Sequence, residues 1–235
     1  ICHGNAMGEK SFVCCYGVLH GDNYRYAGFP EGIPEGTKFG TFFGRQCRHF
    51  LTDLGFDYIW FSNGLGFGSE TWGVTGEIFD GERFYPEKIS KTREQILEFW
   101  RLFRQECPDF PVETRGTNLS AAIDLATDGV PLYEIYKNDF GILPPPNSPW
   151  AAMDGDFGLE IAGYMSRISK LPPDGKYLFR FYAHDPWWMN SPWLDCYEGQ
   201  PHDIYLPLSI ARIDGEGKIN KPSQINFLTV DNSLG

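Results

Sequence analysis

Three carboxylates in polar segments are the first candidates for chemistry in this 235-residue chain. Glu70 lies in a glycine-rich stretch beside Trp72, Asp185 follows a strand-like run, and Glu113 lies early in another. Glycoside hydrolysis needs two such groups, one that donates a proton and one that acts as nucleophile or base. Partial burial beside Trp72 would favour the protonated carboxyl that a general acid requires. We therefore predict Glu70 as proton donor and Asp185 as nucleophile or base, with Glu113 ranked third.

Each carboxylate also has a purely structural interpretation. Glu70 fits an ordinary solvated loop residue, and Asp185, directly before a proline, fits a residue that caps a turn. Glu113 fits an interior residue or an ion-pair partner of Arg115, because it comes early in its strand. Sequence alone does not give the distances that separate these interpretations.

Amides, a few cations and indole rings accompany the carboxylates at the ends of the same segments. Amides and arginine bind sugar hydroxyls, and indole faces cover the apolar side of a pyranose ring. The mixture predicts a neutral carbohydrate as substrate, and a non-catalytic carbohydrate-binding protein is the first alternative. The predicted substrate-binding residues are Asn63, Trp72, Arg115, Asn118, Lys137, Asp139, His184, Trp187 and Trp188.

Two histidine and aspartate pairs raise a second alternative, a metal-dependent sugar isomerase or hydrolase. The pairs are His20 with Asp22 and His184 with Asp185. Such sites take several ligands from different strands, and the chain has five histidines in all. No G-x-G-x-x-G follows the first strand-like run, and no GK[ST] motif occurs. We predict neither a metal nor a cofactor.

The elements that must position these residues alternate between strand and helix. Helical spacing of apolar residues predicts a helix over 41–54 and another that begins near Pro86 and ends at Pro108. Alternation of this kind is typical of parallel βαβ units. Because polar residues follow all the strands, we predict an α/β fold in a single domain over residues 1–235. A (β/α)8 barrel of about six units is favoured over an open doubly wound sheet, in which these residues would gather at one switch point. The six predicted strands begin near residues 11, 56, 111, 130, 177 and 225.

The amino-acid composition limits the possible binding partners and the cellular compartment of the protein. With 31 acidic and 20 basic residues, the net charge of -11 disfavours a nucleic-acid or anionic-membrane partner. No apolar run approaches the roughly 18 residues of a membrane span. The six cysteines lack metal-ligand spacing, which predicts reduced, mostly buried thiols in a cytoplasmic protein. A chain that opens on Ile1 and stops soon after a strand-like run predicts a fragment of a longer protein.

A resemblance to known proteins rests on the segments FDYIWFSNGLGFGSETW, PVETRGTN and FRFYAHDPWW. Together they resemble uncharacterised bacterial proteins related to barrel glycoside hydrolases, the β-galactosidase-like members of the large retaining clan. The resemblance implies a (β/α)8 barrel with a Glu acid/base directly after Asn on the fourth strand and a Glu nucleophile on the seventh. Here Asn63 precedes Gly64, with Glu70 seven residues after Asn63, and the later strand ends in His184 and Asp185.

Overall fold

A computed structural model describes residues 15–61, 65–66, 78, 82–114, 129–146, 164–165, 168–182, 212–214 and 216–228. Three helices lie in these ranges: α1 (Phe39–Leu54), α2 (Ile89–Glu106), which follows a 3-10 turn (Pro86–Lys88), and α3 (Leu132–Lys137). The strands are β1 (Val18–Leu19), β2 (Thr37–Lys38), β3 (Ile59–Phe61), β4 (Val112–Thr114), β5 (Leu178–Tyr182), β6 (Arg212–Ile213), β7 (Ile219–Asn220) and β8 (Gln224–Leu228). The helices predicted over 41–54 and after Pro86 are confirmed.

The strands pair in twos. β1 and β2 are antiparallel, as are β6 and β7, whereas β3 pairs in parallel with β4 and β5 in parallel with β8. Single parallel bridges join Val112 to Ile142 and Pro146 to Leu178. Because α2 lies between β3 and β4 in the chain, these three elements have the predicted βαβ order.

The predicted barrel is wrong. Each sheet among the described residues has two strands of two to five residues, and no closed ring forms. One of the predicted strands, residues 130–137, folds as helix α3 instead. Its apolar side chains explain the difference, since Leu132, Ile135 and Tyr136 are spaced three and four apart and pack into the core on one helical face.

The main core lies between α1, α2 and the β3–β4 pair. Cys47 and Leu51 of α1 are buried here, together with the Phe99, Trp100 and Phe103 side chains of α2. Burial of large rings is the main source of stability in a core of this kind. None of the helices in the described ranges is both long enough and apolar enough to cross a bilayer.

Three cysteine side chains lie buried in the described part of the chain. They belong to Cys15, Cys47 and Cys107. Loss of solvation, with a smaller contribution from Cys107, raises the pKa of Cys47 to about 12. A thiol of this kind is unreactive at neutral pH because the nucleophilic species is the thiolate. The prediction of buried cysteines is thus confirmed for these three residues.

Two glycines of α1 bring it close to α2. A Cβ on Gly44 would lie 2.7 Å from the Phe103 carbonyl oxygen and 2.9 Å from the Glu106 Cβ, and a Cβ on Gly40 would lie 2.8 Å from the Phe99 carbonyl oxygen. Such contacts with a neighbouring backbone leave no room for a methyl group. The close crossing of the two helices therefore depends on both glycines.

Gly44→Ala should lower the free energy of unfolding by about 2 kcal/mol, because overpacking outweighs the roughly 1 kcal/mol that alanine gains in a helix. The measurement is urea unfolding followed by circular dichroism. Thr52→Ala, at an exposed position of the same helix, is the control and should change stability by less than about 0.5 kcal/mol. A stabilised Gly44→Ala variant would contradict the close approach of α1 and α2.

Candidate functional site

Most of the predicted site residues lie outside the described part of the chain. Glu113, Lys137 and Asp139 are described. Those outside are Asn63, Glu70, Trp72, Arg115, Asn118, His184, Asp185, Trp187 and Trp188. The geometry therefore bears on Glu113 and on the elements that surround it.

Lys137 and Asp139 do not follow a strand, which corrects the sequence-based expectation. Lys137 is the last residue of α3, and its Nζ donates a hydrogen bond to the Tyr133 hydroxyl at 3.3 Å. Asp139 comes two residues later in a left-handed conformation with φ 50°. Both predictions failed for the same reason, because helix α3 (Leu132–Lys137) forms where a strand was predicted.

Glu113 is the middle residue of β4, and its side chain is buried in an ion pair. Its Oε2 accepts a hydrogen bond from Nη2 of Arg180 on β5 at 2.6 Å. The two side chains are only 8% and 14% exposed, respectively. A charge-assisted bond of this length is stronger than a hydrogen bond between neutral groups. The pair thus connects the β3–β4 sheet to the β5–β8 sheet.

Strand register places two more polar or aromatic residues beside this pair. Trp60 of β3 is the register partner of Glu113, and Asn226 of β8 is the register partner of Arg180. Register partners in a parallel pair point to the same face, and successive residues point to opposite faces. Phe61, next to Trp60, stacks on Trp100 of α2 at 5.9 Å between ring centroids, so it faces the helices. We call Trp60, Glu113, Arg180 and Asn226 the polar row, which lies on the face opposite α2.

Leu65 and Gly66, in the glycine-rich segment that follows β3 in the sequence, are held in place by hydrogen bonds. Thr114 Oγ1 donates a hydrogen bond to the Leu65 carbonyl at 2.9 Å, and the Trp100 indole donates one to the Gly66 carbonyl at 2.7 Å. Gly66 has φ 85°, and a Cβ there would lie 2.5 Å from the Trp100 ring. β4 and α2 therefore determine where the glycine-rich segment starts.

His20 and Asp22, proposed as metal ligands in the second alternative, form hydrogen bonds within one loop. Asp22 accepts hydrogen bonds from the Tyr26 hydroxyl at 2.8 Å and from the Ile33 amide at 3.4 Å, and His20 Nδ1 lies 3.1 Å from Glu35 Oε1. The bond to Asp22 raises the pKa of Tyr26. These contacts close the loop over residues 21–36. No group of three potential metal-ligating side chains occurs within the described ranges.

Two clefts lined by described residues lie away from the polar row. An open groove of about 640 Å³ runs along α1 beside Arg45, whose guanidinium forms two hydrogen bonds to Glu106. A smaller cleft of about 310 Å³ lies beside His20 and Asp22. Neither contains a residue of the polar row.

Sequence reasoning missed three members of the polar row: Trp60, Arg180 and Asn226. Trp60 stands inside an aromatic strand, where a ring is by default assigned to the core. Arg180 and Asn226 lie within strands, whereas the predicted site residues were chosen mainly because they follow a strand. The pairing of Glu113 with Arg180 has no local signal, since 67 positions separate the two residues.

Comparison with known proteins assigns this chain to no family. No protein-family model matches the chain, and searches of the curated proteins and of the solved structures also find no match. The resemblance to barrel glycoside hydrolases stays a prediction that rests on its three sequence segments.

Proposed function

We propose that this protein binds a neutral glycan at the polar row and hydrolyses a glycosidic bond there. The supporting observation is the buried ion pair of Glu113 and Arg180 beside the partly exposed ring of Trp60. A buried ion pair contributes little net stability compared with apolar residues of the same volume. The position of the pair next to an accessible indole is better explained by ligand chemistry than by packing.

The carboxylate of Glu113 suits a charge-stabilising role. In glycoside hydrolysis the bond from the anomeric carbon to the leaving oxygen breaks, the leaving oxygen takes a proton, and water supplies the new hydroxyl group. Positive charge develops on the sugar ring in the transition state, so a fixed carboxylate nearby lowers the barrier. Arg180 holds one carboxylate oxygen in place, and Glu70 and Asp185 stay the predicted proton donor and the predicted nucleophile or base.

Glu113→Gln tests the proposal, because glutamine keeps an oxygen that can accept from Arg180 but removes the charge. We expect kcat/KM on neutral oligosaccharides and aryl glycosides to fall at least about a hundredfold, as when one electrostatic group is removed from an active site. Glu134→Gln is the control, since Glu134 also forms an ion pair, with Arg93 at 2.8 Å, but at a more exposed position. The control should retain activity within a few-fold of wild type.

Two outcomes would contradict hydrolysis at this site. Wild-type activity in Glu113→Gln would remove Glu113 from the chemistry. Glycan binding by the wild-type chain without turnover of any substrate would instead favour the non-catalytic carbohydrate-binding protein, for which the exposed ring of Trp60 is the specific support. Glu70→Gln and Asp185→Asn test the predicted catalytic pair in the same assay.

A further inference from the structure

Trp60 is exposed in a position where a large ring is normally covered. It is 46% exposed, although it lies in the middle of β3 and the next residue, Phe61, is only 2% exposed. An indole is among the largest apolar side chains, and leaving half of it in water forgoes much of the stabilisation that its burial would give. The exposed ring lies directly beside Glu113 in the register of the β3–β4 pair.

We propose that Trp60 is the sugar-stacking residue of the polar row and that it receives a pyranose ring of a neutral glycan. This inference rests on the proposed function and names its substrate class more closely. Neighbouring strands lie about 4.8 Å apart, so groups on β3 and β4 can reach the same sugar ring. The C–H face of the pyranose packs on the indole, and hydroxyls at the ring edge donate hydrogen bonds to the Glu113 carboxylate.

The charges of the polar row and of the whole chain favour a neutral glycan over an acidic one. The charges of Glu113 and Arg180 compensate each other within the ion pair, so the row offers no net positive charge to an anion. The whole chain carries a net charge of -11, which repels polyanionic ligands at long range. An uncharged pyranose therefore fits the row better than a uronic acid, and cellotetraose and xylotetraose serve as neutral test ligands.

Calorimetric titration of the full chain with cellotetraose and xylotetraose tests the inference, with oligogalacturonate as the acidic comparison. Trp60→Ala should weaken binding of a neutral oligosaccharide at least tenfold, and Trp60→Phe should weaken it less. Phe227→Ala is the matched control, because Phe227 is also 46% exposed but adjoins Asn226 on β8 and so points to the opposite face. It should leave the affinity unchanged, and thermal unfolding of each variant checks that it is folded.

The failure of this inference differs from the failure of hydrolysis. The stacking role would be overturned if Trp60→Ala kept its affinity and KM within twofold of wild type, or if Phe227→Ala lost as much affinity as Trp60→Ala. In either case the Glu113→Gln result could still support hydrolysis. Tighter binding of oligogalacturonate than of the neutral chains would overturn the ligand class. Neutral-glycan binding that needs Trp60 but gives no turnover would uphold the stacking site and reject hydrolysis. A wild-type chain that neither binds nor hydrolyses any of these glycans would overturn both.

Discussion

Glu113→Ala should lower the free energy of unfolding by about 3 to 5 kcal/mol, because it removes one partner of a buried ion pair with Arg180. The carboxylate is 8% exposed and the guanidinium side chain 14%, so water replaces the lost partner poorly. Urea unfolding monitored by circular dichroism measures the loss. Glu113→Gln should be milder, since the amide oxygen still accepts a hydrogen bond.

Removal of both charges should restore most of this stability. Apolar residues of similar volume often replace a buried ion pair at no cost, so Glu113→Leu combined with Arg180→Met should unfold within about 1 kcal/mol of wild type. Glu134→Ala is the control for the loss of a more exposed ion pair, and it should cost no more than about 1 kcal/mol. A double variant as unstable as Glu113→Ala would show that the charges themselves stabilise the fold.

The double variant also distinguishes a structural role of the ion pair from a catalytic role of Glu113. If the ion pair serves only to hold the two parallel sheets together, the folded double variant keeps the activity of the wild-type chain. If Glu113 stabilises the transition state as proposed, the double variant is folded but inactive. Urea unfolding and a glycosidase assay on the same preparation of the double variant measure its stability and its activity.

Arg104→Met should cost about 3 to 4 kcal/mol of unfolding free energy, since hydrogen bonds to a charged group contribute about 1.5 to 3 kcal/mol each and are not additive. Arg104 binds four backbone carbonyls in the segments after α2 and α3. Its Nη1 donates to Cys107 at 2.8 Å and to Phe110 at 2.6 Å, its Nη2 donates to Gly141 at 3.2 Å, and its Nε donates to Phe140. Burial lowers the pKa of this guanidinium, but arginine stays protonated at neutral pH.

Arg101→Met is the matched control on the same helix. Arg101 is exposed and makes one long hydrogen bond, from Nε to the Leu97 carbonyl at 3.4 Å, so its loss should cost less than about 0.5 kcal/mol. Arg104→Lys should fall between the two, because an ammonium keeps the charge but lacks the planar fork of donors. Equal unfolding midpoints for Arg104→Met and Arg101→Met would mean that the carbonyls find other partners.

The sequence by itself determined the elements whose signals are local. Apolar spacing of three and four residues defined α1 and α2, and Gly55 ends α1 as predicted, in a left-handed conformation with φ 69°. Aromatic and β-branched residues marked the positions of four strands: β3, β4 and β5 lie within predicted strands, and β8 begins one residue before another. The same logic failed for α3, where residues with high strand preference fold as a helix because its apolar face packs on the core.

Only the tertiary structure decided how the strands associate and which side chains meet. Six strand-like segments with helices between them suit a barrel, yet those that the structure describes pair in twos. Glu113 was ranked below two other carboxylates, and the expected partner was Arg115, whereas its partner in the structure is Arg180 on a strand 67 positions away. Local patterns record which face of a strand is apolar, but strand pairing depends on contacts between residues distant in the chain. For the same physical reason the polar row emerges from the register of four strands and not from any one stretch of sequence.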